Sequence, residues 1–223
     1  MAEVSSGAIA VVDYGMGNLR SVWQALVKVS GGREVVVTAD PAVVAAAERV
    51  VFPGQGAMPD CMRELEASGL KQAVLDAAKT KPFLGICVGA QLLFEFSEEG
   101  NTPGLGVFKG KVIRFPAEKM FDEHGQKLKV PHMGWNEMFI VREHPLWAGI
   151  SDRERFYFVH SYHFAPEEDI AVIESAYPYR FAAAVARDNI FAIQCHPEKS
   201  HTAGLKLLKN FVHWDGRFAA TVS

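Results

Sequence analysis

The sequence predicts an α/β protein in which helices cover both faces of a mainly parallel central sheet, with antiparallel strands added in the C-terminal half. Over the first hundred residues, short apolar runs alternate with segments of helical periodicity, which is the pattern of a parallel sheet. After Gly100, strand-like runs follow one another without long helices, which indicates antiparallel pairing. A length of 223 residues with 49% hydrophobic residues suits one core. We therefore expect a single domain over residues 1–223.

The N-terminal half reads as alternating strands and helices. An apolar run over 8–14 ends at glycines, and Asn18 then stands as the N-cap of a helix whose apolar residues share one face. Asp40 caps a short helix that has Pro41 at its first position. In chain order, the pattern predicts strands over 8–14, 34–38, 49–52 and 83–86, a helix from Leu19 to Val29, the helix after Asp40, and two helices over 59–79 with a break at Gly69.

The C-terminal half is rich in strand-forming residues. A turn at Asp188-Asn189 divides one long strand-like segment into a hairpin. Thr202 is the expected N-cap of a final helix, with Leu205, Leu208 and Val212 on its buried side. The pattern predicts strands over 108–115, 137–141, 156–162, 171–176 and 181–193.

Charge and hydropathy exclude several classes of protein. With 23 basic against 26 acidic residues, the net charge of −3 offers no field for binding nucleic acid. No apolar run approaches the roughly 20 residues that a membrane-spanning helix needs. The N-terminus carries Glu3 and no basic residue before Arg20, so we expect no signal peptide.

Cysteine and histidine spacing gives no support for a disulfide or a metal site. The three cysteines are an odd number without Cys-x-x-Cys spacing, so we expect thiols in a cytoplasmic protein. His160 and His163 lack a His-Glu-x-x-His motif and a nearby carboxylate, so we expect them to shape a pocket wall. No phosphate-binding glycine motif is complete, and we expect no cofactor.

Cys87 is the candidate nucleophile. It lies in Gly85-Ile-Cys-Val-Gly89, between a predicted strand and a helix, which is the thiol form of a nucleophile elbow. The two flanking glycines allow a tight, strained bend that would expose the sulfur. A buried structural cysteine in an ordinary strand-to-helix connection is the alternative. A general base elsewhere in the chain would favour the nucleophile over the structural cysteine.

His196 and Glu198 are the candidate base and its orienting group. They follow the predicted strand that ends at Ile193, where active residues of open α/β sheets gather. Pro197 favours an extended conformation at His196, which would turn both side chains the same way. His-x-Glu alone is a weak signal, but a Cys-His-acid set in two structural contexts favours covalent catalysis.

The glycine-rich segment Val51–Gly56 is the candidate oxyanion hole. It continues a predicted strand, and backbone amides at Gly54 and Gln55 could lie across the sheet from the nucleophile. The amide of Val88, directly after Cys87, would be the second donor. A plain turn is the alternative interpretation of this segment.

Three of these segments together resemble class I, triad-type glutamine amidotransferases: Phe52–Gly56, Gly85–Gln91 and Cys195–Glu198. Further segments, Asp13–Leu19, Val130–Asn136, Phe158–Tyr162 and His196–Ser200, resemble the members of that family that serve histidine biosynthesis. The resemblance spans nearly the whole chain. It implies a flavodoxin-like three-layer sandwich that hydrolyses L-glutamine to glutamate and ammonia, with the triad Cys87, His196 and Glu198.

The resemblance also implies binding residues and a partner. The partner would be a separate (β/α)₈-barrel cyclase subunit that forms a heterodimer with this chain and accepts the ammonia. Met133 and Trp135 have an alternative as core residues under a loop. The residues implied to bind glutamine are Gly56, Gln91, Ser161 and Tyr162. Those implied to face the barrel are Asn18, Met133, Trp135 and Asn136, with Tyr157 and Lys199 near the ammonia exit.

The sequence departs from the family pattern at positions that spare the triad. Gln55 stands where valine is more frequent, Ala90 where methionine is common, and Cys195 where an aromatic residue usually precedes the catalytic histidine; His201 replaces a small or polar residue. Two other functions stay open. One is a glutaminase for another synthase, of the pyridoxal phosphate or anthranilate type. The other is a redox or chaperone protein with a reactive cysteine on a flavodoxin-like fold, which would not need His196 or Glu198.

Overall fold

The structure, a computed structural model, describes residues 5–218. The argument from Glu3 and both ends of the predicted 1–223 domain therefore fall outside the described residues. Within them the helices are α1 Leu19–Val29, α2 Pro41–Ala46, α3 Met58–Ala67, α4 Lys71–Thr80, α5 Val88–Gln91 and α6 His201–His213. The strands are β1 Ile9–Val12, β2 Val35–Thr38, β3 Arg49–Gly54, β4 Phe83–Cys87, β5 Phe94–Ser97, β6 Thr102–Pro103, β7 Phe108–Arg114, β8 His132–Ile140, β9 Glu154–His160, β10 Tyr162–Pro166, β11 Ala171–Ala176, β12 Arg180–Arg187 and β13 Ile190–Ile193.

The strands form one mixed sheet, as the sequence predicts. Strands β2, β1, β3, β4 and β13 lie side by side and are parallel, and their side chains are almost all buried from β1 onward because helices cover both faces. The sheet then continues through β12, β10 and β7 with antiparallel pairing. A side branch runs from β12 through β11 to β8 and β9.

Several local predictions agree with the structure. The Asp40 carboxylate accepts from the Ala42 amide at 2.8 Å, as expected of an N-cap. Gly69 separates α3 from α4 with a φ of +73°, which suits glycine in the left-handed region. Asp188, at the predicted hairpin turn, also has a positive φ of 52°.

Other local predictions are wrong in their details. Helix α6 begins at His201 with Ser200 as its N-cap, two residues before the predicted N-cap, because the carbonyl of Ser200 accepts from the Gly204 amide. Thr202 therefore lies inside the helix. The strand predicted over 137–141 extends back to His132 in β8, and β5 and β6 were not predicted. Trp23 belongs to the predicted apolar face of α1, but it is 39% exposed, and its indole N–H donates to the Val35 carbonyl.

The register of the parallel strands brings the sequence motifs to one edge of the sheet. Gly54 at the end of β3 pairs with Cys87 at the end of β4, and Ile193 at the end of β13 pairs with Ile86 on the other side of β4. The chain leaving β13 therefore passes beside Cys87, at the carboxyl edge where α/β sheets carry their sites. Among the described residues, no helix is both long enough and apolar enough to cross a membrane.

Candidate active site

Cys87 occupies a strained turn between β4 and α5. Its φ of 55° and ψ of −117° are rare for a residue with a side chain, and such strain persists only where the surrounding packing enforces it. A Cβ at Gly89 would lie 2.0 Å from the Phe52 carbonyl oxygen, so the turn can approach β3 only with glycine there. The bend is the predicted elbow. Its sulfur is less exposed than expected, because Cys87 is 4% exposed, and it borders a partly open cavity of about 320 Å³.

His196 and Glu198 form a buried hydrogen-bonded pair. The Nδ1–H of His196 donates to Glu198 Oε1 at 2.8 Å, with both side chains at most 4% exposed. His196 has the extended backbone that Pro197 favours. The next residues form a 3₁₀ turn over Pro197–Lys199, so the carboxylate reaches the ring through a turn and not through continued extended chain.

The charge balance around His196 favours the imidazolium form. Burial alone would lower the pKa of His196, but the negative charge of the neighbouring Cys87 thiolate and then of the Glu198 carboxylate outweighs it and raises the pKa above its usual value. The ring also borders the same cavity as Cys87. Its Nε2 atom is buried and makes no hydrogen bond within the described residues, so it is free to exchange a proton with a group in the cavity.

Ser200 holds the turn that carries this pair, a role that the sequence did not reveal. Its hydroxyl donates to the His196 carbonyl at 2.6 Å and accepts from the Tyr157 amide at 3.0 Å. The turn is also in backbone contact with α6, where a Cβ at Gly204 would lie 1.9 Å from the Pro197 carbonyl oxygen. No pattern local to the His-Pro-Glu segment indicates either contact.

The candidate oxyanion segment lies on the opposite side of Cys87. Gly54 is buried, and a Cβ there would lie 2.5 Å from the Gly89 amide nitrogen. Gln55, Gly56 and Val88 border the cavity, and Gly56 has a φ of +105°. The Gln55 carbonyl accepts from the Cys61 thiol at 3.4 Å, which fixes the direction of that peptide.

The residues implied to bind glutamine border the cavity together. Gln91, Ser161 and Tyr162 all line it, from α5 and from the β9–β10 connection. Gln91 is 3% exposed, and its amide nitrogen donates to Gln194 Oε1 at 2.9 Å and to the Tyr162 carbonyl at 3.3 Å. Sequence reasoning missed Gln194, which is fully buried with its Nε2 atom 3.8 Å from Cys87 Sγ.

The residues implied to face a partner lie outside the core. Met133 is 62% exposed and Trp135 is 42% exposed, so the alternative of core residues under a loop does not describe them. The Trp135 ring stacks on His201 at 4.9 Å and meets Tyr157 edge-on, and Lys199 Nζ lies 6.0 Å from the Tyr157 ring. We call the outward side chains of Met133 and Trp135 the outer face of β8. Asn18 and Asn136 are half-buried.

The two histidines assigned to a pocket wall have different positions. His160 borders the cavity, whereas His163 is buried away from it, hydrogen-bonded to the Phe164 carbonyl and to the Tyr179 hydroxyl. Cys195 is fully buried, and burial raises the pKa of its thiol well above the usual range. Across residues 5–218, no group of three or more acidic, histidine or cysteine side chains is arranged to hold a metal ion.

A cysteine on a strained turn at the carboxyl edge of a parallel sheet, beside a buried His–Glu pair, is the arrangement of a triad amidotransferase. The model of the family "Glutamine amidotransferase class-I" matches residues 10–214, and the chain belongs to this family. Within that family, relatives of high identity are subunits of imidazole glycerol phosphate synthase. The imidazole glycerol phosphate synthase subunit HisH of Dechloromonas aromatica is 67% identical over 208 residues, which cover 92% of this chain and 96% of that relative. The corresponding subunit of Aromatoleum aromaticum is 63% identical, over 92% and 98% of the two chains.

Solved structures share the fold at low sequence identity. A putative GMP synthase subunit from Thermoplasma acidophilum superposes with a TM-score of 0.68 at 20% identity, covering 92% of each chain. PurLQS from Thermotoga maritima gives a TM-score of 0.67 at 19% identity, covering 92% of this chain and 97% of that chain. These structural similarities support the three-layer α/β fold.

Proposed function

We propose that the chain is the cytoplasmic glutaminase subunit of an imidazole glycerol phosphate synthase. It hydrolyses L-glutamine to glutamate and ammonia and passes the ammonia to a (β/α)₈-barrel cyclase subunit, with which it forms a heterodimer. The observation that carries the proposal is one cavity bordered by a strained Cys87 and by His196, whose other ring nitrogen is held by Glu198. The high sequence identity to two HisH subunits supports the assignment to histidine biosynthesis.

The first step is attack on the side-chain amide of glutamine. His196 Nε2 holds the proton that the Cys87 thiol has given up, and the Cys87 thiolate forms a bond to the amide carbon as the carbonyl π electrons move onto oxygen. Backbone amides of Gly54, Gln55 and Val88 are the proposed donors to this oxyanion; one such donor typically contributes about 3 kcal/mol to the stability of the transition state. Gln91, Ser161, Tyr162 and Gly56 are proposed to hold the substrate.

The second half of the reaction releases ammonia and then glutamate. The His196 imidazolium protonates the departing nitrogen, the carbon–nitrogen bond breaks, and a glutamyl thioester stays on Cys87. A water molecule then loses a proton to His196 and adds to the thioester carbon, the carbon–sulfur bond breaks, and glutamate leaves while Cys87 and His196 share the remaining proton as before the reaction. Glu198 stabilises the imidazolium in both halves, in agreement with the raised pKa of His196.

The fate of the product explains why a partner is needed. Ammonia in neutral water is mostly ammonium, which has no lone pair for attack, so a closed path to the acceptor favours transfer. The cyclase would use it to convert a phosphoribulosyl-formimino-carboxamide ribotide into imidazole glycerol phosphate and an aminoimidazole carboxamide ribotide. The exposed outer face of β8 is the proposed docking surface. Asn18 and Asn136, which are half-buried, are proposed further contacts with the barrel, with Tyr157 and Lys199 near the exit.

Binding and hydrolysis are tested together by adding the purified cyclase subunit. We expect co-purification of the two chains and a glutaminase rate that is low in the isolated chain and rises with the cyclase and its ribotide ligand, because docking aligns the backbone amides in the Pro53–Gly56 segment, those of Gly54, Gln55 and Gly56. Cys87→Ala and His196→Ala should abolish hydrolysis. Equal rates with and without the cyclase would contradict the coupling, and full activity in His196→Ala would favour a redox or chaperone role.

The docking surface has its own test in Trp135→Ala. The indole is 42% exposed, so its loss should leave the unfolding transition unchanged while weakening cyclase binding about tenfold or more, as is typical of an aromatic anchor. Val37→Ala is the matched control, because Val37 is 38% exposed on β2, the edge strand at the far end of the sheet. Unfolding of Trp135→Ala, or equal binding by the two variants, would refute this assignment.

A further inference from the structure

A chain of buried hydrogen bonds runs between strands β8 and β9 beneath the cavity. His132 and His160 are directly opposite each other in the register of the two strands. The two rings meet with His132 Nδ1 at 2.9 Å from His160 Nε2, and His160 Nδ1 lies 2.7 Å from the Tyr162 carbonyl oxygen. At the other end, Asn136 Nδ2 lies 3.2 Å from His132 Nε2.

The direction of every bond in this chain follows from its two ends. The Tyr162 carbonyl can only accept, so His160 Nδ1 carries the proton and its Nε2 accepts from His132 Nδ1–H. His132 Nε2 must then accept from the Asn136 amide. That amide is itself fixed, because its nitrogen also donates to the Ala176 carbonyl at 2.8 Å and its oxygen accepts from the Glu137 amide at 2.8 Å.

Burial keeps both rings in the neutral form that this arrangement requires. It lowers the pKa of His132 to about 4 and the pKa of His160 well below that of a free histidine. A second proton on either ring would place two N–H groups against each other. Each ring therefore has one hydrogen-bonded tautomer, and a fully satisfied polar network of this kind is rigid.

The inner end of the chain reaches the reacting sulfur. The Tyr162 carbonyl that accepts from His160 also accepts from Gln91 Nε2, which in turn donates to Gln194 Oε1. Gln194 Nε2 is 3.8 Å from Cys87 Sγ. Gln91, His160 and Tyr162 border the cavity. A shift of the His160 ring therefore moves groups that are proposed to bind glutamine.

The outer end of the chain lies behind the proposed docking surface. Side chains alternate along β8, so His132 and Asn136 point inward while Met133 and Trp135 form the exposed outer face. A partner that seats on the outer face presses on the backbone that carries the inward pair. The same strand thus contacts the partner on one side and the hydrogen-bond chain on the other.

We propose that His132 and His160 are positioning residues that couple partner docking on the outer face of β8 to the glutamine pocket, through the Tyr162 carbonyl and Gln91. The inference rests on the proposed function. It differs from a packing role, for which the rings are also suited: His132 stacks on Tyr177 at 4.1 Å between ring centroids. Packing requires only a flat ring, whereas coupling requires a donor and an acceptor on that ring.

Matched substitutions separate the two roles. His132→Phe keeps an aromatic ring and removes both hydrogen bonds, while His132→Gln replaces the ring and can restore one donor and one acceptor. His163→Phe is the control, because His163 packs against Phe115 in the same aromatic cluster, at 4.9 Å, but lies outside the chain. For each variant we would measure glutaminase kcat/KM with and without saturating purified cyclase subunit, and the Kd for that subunit.

We expect His132→Phe to lower the stimulation by the cyclase, taken as the ratio of the two kcat/KM values, by about tenfold at unchanged Kd. His132→Gln should recover at least half of the wild-type ratio, and His163→Phe should keep it. Equal ratios for the His132→Phe and His163→Phe variants, or no recovery in His132→Gln, would overturn the coupling role alone. A wild-type chain that hydrolyses no glutamine with the cyclase would refute the proposed function, and this inference with it.

Discussion

Gly204 offers a sharp test of how the active-site turn is held. A Cβ at this position in α6 would lie 1.9 Å from the Pro197 carbonyl oxygen and 2.7 Å from its carbonyl carbon, whereas real side chains keep these atoms more than 3.0 Å apart. In Gly204→Ala, the turn or the helix must therefore move by about an ångström. His196 and Glu198, the proposed catalytic pair on either side of Pro197, would move with the turn.

Two opposing effects set the size of the change in stability. Alanine favours a helix over glycine by about 1 kcal/mol. Overpacking of a close backbone contact costs about 1–3 kcal/mol, and here the obstacle is backbone that cannot rotate away. The net loss in the free energy of unfolding is then between about 0 and 2 kcal/mol, and we expect the upper part of that range because the backbone cannot move aside. Because displacement of a catalytic group by about 1 Å lowers rates about 100-fold, the loss in kcat/KM should be far larger than the loss in stability suggests.

The assay pairs urea unfolding, followed by tryptophan fluorescence, with steady-state glutaminase kinetics in the presence of the cyclase subunit. Ala203→Gly is the control, since it removes about 1 kcal/mol of helix preference at the neighbouring half-buried position without touching the turn. That variant should lose stability and keep its activity. If Gly204→Ala unfolds at higher urea than the wild type and turns over glutamine at the same rate, the close contact does not hold the turn.

Three further predictions concern buried groups. Burial lowers the pKa of His144 to about 3, below the 6.5 of a free histidine, so below pH 6.5 the unfolded chain binds a proton that the folded chain does not. The free energy of unfolding therefore falls as the pH is lowered. Between pH 7 and pH 5, urea titrations should show that the wild type loses about 2 kcal/mol more of this free energy than His144→Gln does. Arg49 donates to two carbonyls at the end of α6, at 2.7 and 2.9 Å, so Arg49→Met should lower the free energy of unfolding by about 2–4 kcal/mol, and an unchanged midpoint would contradict this. Burial raises the pKa of the Cys61 thiol to about 11 and that of the Cys195 thiol well above its usual range. Iodoacetamide should therefore label native Cys87 first, and Cys87→Ala should take up no label on that time scale.

The elements around the nucleophile could be predicted because their signals are local. Gly85 and Gly89 flank Cys87 at fixed spacing, and the strained turn they permit involves only adjacent residues and β3. Pro197 likewise acts on its neighbour His196 through a steric rule. In such cases the sequence contains both the cause and its consequence within a few residues.

The supporting contacts could not be predicted because they depend on the register of strands far apart in the chain. Gln194 and Gln91 are 103 residues apart in the sequence, and they meet only because β13 pairs with β4 in this register. His132 meets His160 only because β8 and β9 pair as they do. The start of β8 was missed for another reason: Gly134 has a φ of +132°, and the apolar residues there, Met133 and Trp135, lie on the exposed side of the strand, so the usual strand pattern is absent.

The geometry around the triad is set by backbone in contact with backbone. A side chain at Gly54 would strike the Gly89 amide, one at Gly89 would strike β3, and one at Gly204 would strike the turn of His196 and Glu198. These contacts leave little freedom to adjust, because a main chain cannot change rotamer as a side chain can. Under the proposed regulation by a partner, docking would therefore act on the less constrained groups that border the cavity. Gln55 and Gly56, which are exposed after the end of β3, and the hydrogen-bonded His160–Tyr162 wall are places where docking could change activity without disturbing the triad.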